Sequence, residues 1–129
     1  MTVETLNQQL FSTVPRHDYL GLFEGNTAKN VVDFLDLSRN DVAKAVHISK
    51  DSVRYDEGMS KDLENRLYEI AVTCELMAGY FQGDSKKTAT WFHIKNPALG
   101  GISPKDMIRF GRYKKLEKFI RNALAGISP

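Results

Sequence analysis

The chain of 129 residues contains one cysteine, Cys74, and no uninterrupted apolar run of roughly 18 residues. A single cysteine cannot form a disulfide within the chain, which excludes the disulfide-rich scaffolds of small secreted proteins and favours a reducing compartment. The lack of a long apolar run predicts no transmembrane helix, and residues 1–4 lack the basic and apolar regions of a signal peptide. We therefore expect a cytoplasmic protein without a membrane partner.

Groups that perform catalysis or bind metals are also scarce. The three histidines, His17, His47 and His93, have no metal-ligand spacing with one another or with Cys74. Cys74 lies on an apolar stripe of helical spacing, which indicates a buried small side chain rather than a nucleophile. The glycine pair at 100–101 is not followed by the Lys-Ser/Thr of a phosphate-binding loop. We expect no catalytic residue, no metal site and no cofactor, and hence no enzyme.

The charge balance is small overall but uneven along the chain. The net charge is +2, yet residues 105–121 hold seven Lys or Arg against two acids. Residues 55–75 hold six acids against two cations. This asymmetry either steers partners or belongs to solvated helix surfaces.

Apolar periodicity and capping residues predict an all-α fold. Residues 1–25 are predicted to form an N-terminal arm, with a short helix over residues 3–12 and a packed stretch over residues 19–23. A helix is predicted to begin after Asn26 or Thr27, and Ser60 is predicted to cap a long helix over residues 60–81. Three shorter helices are predicted to follow, over residues 85–94, 104–110 and 112–125.

Residues 26–59 have the spacing of a helix-turn-helix. Ser38 and Asp41 form a predicted capping box for the first helix, His47 occupies the turn, and Ser49 is the predicted cap of a second, short helix. Residues at the start of that second helix would face the major groove, and residues at the start of the first would lie near phosphate. The candidate DNA-binding residues are Arg39, Asn40, Lys50, Asp51, Ser52 and Arg54. With so few cations a monomer would bind weakly, so we expect a homodimer. Alternatively, the helix pair packs against protein.

Residues 91–107 are explained least by local propensity. Asn96-Pro97 favours a turn, Gly100-Gly101 supplies backbone freedom, and Ser103-Pro104 has the order of a helix start. These elements predict two helices joined by a shaped corner, with Leu99 and Ile102 as an apolar plug.

Trp91 followed by Asn-Pro, Leu-Gly-Gly and Ser-Pro in this order resembles the signature of the Xre/MbcA/ParS family of antitoxins. The resemblance implies an Xre-like helix-turn-helix over residues 26–59 and a toxin-binding domain over residues 60–129. The residues it singles out, together with the cations of the last helix, are Trp91, Asn96, Pro97, Leu99, Gly100, Gly101, Ser103, Pro104, Lys114, Lys115, Lys118 and Arg121.

The function that the resemblance implies is that of a type II antitoxin. Such a protein would neutralise a cognate RES-type toxin, an NAD-degrading enzyme, by covering its active site, and would repress its own operon by binding operator DNA. NAD would then be the substrate of the partner and not a cofactor of this chain. The alternatives are a stand-alone helix-turn-helix regulator without a toxin and an adaptor for another partner.

Overall fold

Every regular element that the computed structural model describes, over residues 17–126, is helical. The α-helices are α1 (Thr27–Phe34), α2 (Arg39–Val46), α3 (Lys61–Tyr80), α4 (Ser85–His93), α5 (Pro104–Arg109) and α6 (Tyr113–Leu124), with 3₁₀ turns at Lys50–Ser52 and Pro97–Leu99. The all-α prediction is confirmed for these residues, while the helix expected over residues 3–12 lies outside them. None of the helices in the described range is both long and apolar enough to cross a membrane.

Side-chain caps begin five of the six α-helices in the described residues, because a cap supplies the hydrogen-bond acceptor that the first backbone N–H groups of a helix lack. Ser38 and Asp41 form the predicted capping box, with Ser38 N donating to Asp41 at 2.9 Å and Asp41 N donating to Ser38 at 3.1 Å. Ser60 accepts from Leu63 N, as predicted. The remaining caps are Asn26, Asp84 and Ser103.

The core is organised around the apolar face of α3. Leu63, Leu67 and Ile70 on this helix are at most 1% exposed, and they belong to one hydrophobic cluster that also includes Val31 of α1 and Leu116 of α6. Fully burying one such side chain stabilises a fold by about 1.5–3 kcal/mol. The cluster crosses residue 60, where the sequence suggested a domain boundary.

The prediction of a second helix capped by Ser49 is wrong. The chain makes only one 3₁₀ turn at Lys50–Ser52 and is extended at Val53, and Ser49 makes no cap hydrogen bond. The turn ends at Val53, whose side chain is buried in the core and whose backbone is extended. The guanidinium of Arg39 donates to the backbone oxygens of Lys50 and Val53, and Val53 N also donates to Lys50 O at 3.2 Å.

Long cationic side chains connect the first two helices to the later part of the chain. Arg109 binds Asp41 at 2.9 Å and Asp106 at 2.7 Å, and Lys105 Nζ donates to Asp36 O at 2.9 Å. Burial acts to raise the pKa of Asp41, but hydrogen bonds from Ser38 and Arg109 outweigh it, so that this pKa is lowered. Lys105 and Arg109, two of the seven cations in residues 105–121, are therefore bonded to other groups of the chain.

A buried carboxylate holds the N-terminal stretch against α3. Glu75 is 3% exposed and accepts hydrogen bonds from the backbone N–H groups of Tyr19 and Leu20. Burial raises the pKa of Glu75, the two backbone donors lower it, and the negative charge of Asp18 raises it again, with a net upward shift. The packed stretch predicted over residues 19–23 is thus held by a carboxylate whose burial was not predicted.

Replacing Glu75 by Gln should change how stability depends on pH. The pKa of Glu75 in the folded protein lies above its ordinary value of 4.5, so the folded state binds a proton that the unfolded state releases. The stabilisation from this proton is complete below the unfolded pKa and is lost as pH rises through the folded pKa. The free energy of unfolding of the natural protein, minus that of Glu75→Gln, should therefore fall in urea titrations as pH rises above the ordinary Glu pKa of 4.5. A difference that grows with pH would show that the backbone hydrogen bonds outweigh burial.

Candidate protein-binding groove

The loop between α4 and α5 is closed on itself by hydrogen bonds. Asn96 accepts from Ala98 N through its side chain at 2.9 Å, and its backbone N–H donates to Ile102 O at 3.0 Å. Gly101 N donates back to Asn96 O at 3.1 Å. Gly100 and Gly101 have φ of 79° and 83°, a region that residues with a Cβ rarely adopt. The corner is therefore a shaped, closed loop, as predicted, and not a loose tether.

Both ends of this loop are anchored in the fold. Leu99 and Ile102 are half-buried and pack against the core, as expected of an apolar plug. After the loop, Ser103 accepts from Asp106 N at 3.0 Å, and Pro104 is buried at the first position of α5. Pro97, by contrast, is exposed.

Beside the loop lies an apolar groove of about 340 Å³ between α3, α4 and α6. Its floor includes Met77 and Ile120, which are buried, and its rim includes Tyr80 and Leu124, whose side chains are 64% and 43% exposed. The groove is lined by Met77, Tyr80, Trp91, Asn96, Ala98, Phe119, Ile120, Ala123 and Leu124. Exposed aromatic and aliphatic side chains around a concave surface are typical of protein-binding sites.

The structure brings only part of the predicted toxin-binding set to this groove. Trp91 and Asn96 line it directly, whereas Ser103 and Pro104 are buried beyond it. The other groove residues, among them Tyr80 and Leu124, were missed as site residues, because the sequence does not say which apolar side chains stay uncovered. The strongly amphipathic pattern of α6 was the one available signal.

The four predicted cations of α6 lie on its exposed faces. Arg121 pairs with Glu117 at 3.0 Å, and Lys114, Lys118 and Arg121 line a shallow polar cavity away from the groove. Lys115 is exposed one helical turn before Phe119, which lines the groove. None of the four cations lines the groove itself.

The predicted DNA-binding residues surround the short 3₁₀ turn. Lys50, Asp51 and Ser52 are exposed on it, and Ser52 Oγ lies 2.7 Å from Ser49 Oγ. Arg54 forks onto Asp56 at 2.7 and 2.8 Å, an arrangement that lowers the pKa of Asp56 to about 2. The guanidinium of Arg39 already donates to the backbone carbonyls of Lys50 and Val53.

Asn40 is exposed and lines an open cavity with Lys44 and His47. His47 has φ of 59°, so the left-handed turn expected at this position is present. The six candidate DNA-binding residues therefore include only one cation, Lys50, that is free of an internal contact within the described residues.

No grouping of metal-ligating side chains is found within residues 17–126. Cys74 is fully buried, and burial raises the pKa of its thiol, as expected of a small core side chain. Neither a scan against models of known protein families nor searches of curated proteins and of solved structures found a match to this chain.

Replacing Arg39 by Ala should lower the free energy of unfolding by about 1–2 kcal/mol, since Val53 O loses its donor and Lys50 O loses one of its two donors. Urea unfolding measures this loss. Asn40→Ala, at the neighbouring exposed position, is the control and should change stability by less than about 0.5 kcal/mol. If Arg39→Ala kept full stability and lost only DNA affinity, Arg39 would be a phosphate contact and not a structural clamp.

Proposed function

We propose that this protein is the antitoxin of a type II toxin–antitoxin pair and that it binds a RES-type toxin through the groove between α3, α4 and α6. The resemblance of residues 91–107 to the Xre/MbcA/ParS signature supports the toxin class. The observation that carries the proposal is the exposed apolar groove directly beside the loop on which that resemblance rests, with Tyr80 and Leu124 on its rim.

The proposed mechanism is steric. A toxin surface anchored in the groove would be held against the exposed loop, including Pro97 and Ala98, and the bulk of α6 would cover the entrance of the toxin's active site. No chemical step on this chain is needed, because denying access to NAD is enough for inhibition. A closed loop and buried helix ends suit this task, since a pre-shaped surface loses little entropy on binding.

Replacing Tyr80 by Ala should weaken toxin binding by at least about tenfold, because tyrosines that a partner fully covers are common hot spots. The matched control is Phe110→Ala, which removes an aromatic of similar exposure (54%) outside the groove. Co-expression with the toxin encoded by the neighbouring reading frame tests both variants through co-purification and growth. Phe110→Ala should rescue growth like the natural chain, while Tyr80→Ala should not. Failure of the natural chain to bind or rescue would remove the antitoxin proposal.

The second part of the proposal is repression of its own operon. Lys50, Asp51 and Ser52 on the exposed 3₁₀ turn would contact the operator, with a homodimer supplying two such turns. This contact is proposed to be weak, because Arg39 and Arg54 are held by other groups of the chain.

Lys50→Glu should reduce affinity for the chain's own upstream DNA several-fold at low salt, because one phosphate contact becomes a repulsion. A gel shift over a salt series measures it, with Lys61→Glu, an exposed cation at the start of α3, as the control. Equal retardation by both variants would end the operator assignment and leave the toxin assignment intact.

A further inference from the structure

A second cavity, open and about 510 Å³ in volume, lies between α2 and the turn that joins α5 to α6. It shares no lining residue with the apolar groove. Its lining, as far as the described residues form it, contains cations and no carboxylate; the residues are Asn40, Ala43, Lys44, His47, Ile48, Arg109 and Phe110. A ligand in this cavity therefore meets both positive charge and apolar surface.

One wall of the cavity depends on the absence of a side chain at Gly111. A Cβ placed on Gly111 would lie 2.6 Å from Cε1 and 2.9 Å from Nε2 of His47, closer than such atoms approach one another. Gly111 also has φ of 78°, which residues with a Cβ rarely adopt. The imidazole of His47 is therefore packed against the α5–α6 turn, next to Phe110.

The opposite wall carries an aromatic ring that is held from behind. The ring of Phe110 is 54% exposed, and Cζ of Arg109 lies 5.8 Å from the ring centroid. Arg109 is itself fixed by its ion pairs with Asp41 and Asp106. The charge of Arg109 is thus already compensated, but its position keeps the exposed ring in place for a planar ligand.

The polar groups that remain for a ligand are on α2. Asn40, Lys44 and His47 follow one another at helical spacing, and all three are exposed. The ion pairs within residues 17–126 do not include Lys44. Ammonium, amide and imidazole N–H groups are all donors to an oxyanion such as phosphate.

We propose that this cavity binds a nucleotide whose base is not stacked on a neighbouring base, with the base on the exposed ring of Phe110 and the phosphate against Lys44 and His47. This inference does not rest on the antitoxin proposal, because the cavity and the groove have separate linings.

Two other ligands fit the cavity less well. An acidic peptide would satisfy Lys44 but, without a planar ring, would leave the exposed face of Phe110 uncovered. A base inside duplex DNA stays between its neighbours and cannot reach Phe110 unless it is flipped out. A nucleotide of a single strand, or a free nucleotide, supplies both the ring and the phosphate.

Binding is tested on the full chain with a fluorescent single strand of about twelve nucleotides, within the known range of site sizes. Its sequence is mixed and unrelated to the chain's own upstream DNA. Anisotropy should show saturable binding at low salt, at least about tenfold tighter than for the same strand in a duplex. Duplex binding that is equally tight would overturn the proposal.

AMP and inorganic phosphate distinguish the two sources of the nucleotide, both by calorimetry and as competitors. AMP that binds and displaces the strand would identify a free nucleotide as the ligand, whereas a bound strand that AMP fails to displace would identify a single strand. Inorganic phosphate that competes as well as AMP would overturn the proposal, because the base would then contribute nothing. Binding of neither strand nor AMP would overturn it too.

Phe110→Ala should weaken binding about tenfold, because base–aromatic stacking is lost. Tyr80→Ala removes an exposed aromatic that lies outside the cavity and should keep full affinity. Phe110→Trp should keep affinity, and its emission should be quenched on binding. In the natural chain Trp91, which lines the groove, should not respond. Equal affinity of Phe110→Ala and the natural chain would contradict the assigned base position.

Lys44→Gln should weaken binding several-fold and lower the slope of log affinity against log salt by about one, as expected for one lost phosphate contact. Lys86→Gln removes the same charge at an exposed position of α4 and should leave the slope unchanged. Equal slopes for the two variants would show a general effect of net charge and no phosphate site. Because Phe110→Ala is expected to rescue growth from the toxin, its loss of nucleotide binding separates this inference from the antitoxin proposal.

Discussion

Burial of one face of α3 is the interaction on which the rest of the structure depends. Leu63, Leu67 and Ile70 are almost fully covered, and α1 and α6 both pack against this helix. Each such side chain contributes about 1.5–3 kcal/mol, more than an exposed ion pair at about 0.2–1 kcal/mol. The groove exists because this burial stops short of the end of α3, where Tyr80 projects past the core.

The polar contacts act within this frame by fixing where segments lie. Glu75 fixes the N-terminal stretch, Arg39 holds the carbonyls of Lys50 and Val53, and Arg109 ties α2 to α5. A charge used in this way is not available to a partner. A cation with no such contact is therefore a better guide to recognition than any count of basic residues.

The features that were predicted correctly from the sequence are those that depend on interactions between residues close together in the chain. The caps at Ser38, Ser60 and Ser103 and the left-handed turn at His47 follow from short-range hydrogen bonding, and each is present. Prediction failed at the helix after Ser49, because Val53 is buried in a core built from distant parts of the chain and has an extended backbone there. The groove was missed for a related reason. Exposure of Tyr80 depends on where α4 and α6 stop covering α3, which no single stretch of sequence encodes.

The residues that carry the family resemblance are chiefly residues that shape the backbone. Asn96 and the two glycines close the loop, and Ser103 and Pro104 start α5 from a buried position. Such residues place a surface but do not choose what binds it. In the proposed function, the choice falls to the side chains exposed beside the loop, among them Tyr80 and Leu124 on the rim of the groove. Under that proposal the motif indicates where the partner docks, whereas the exposed apolar side chains of the groove decide which partner binds.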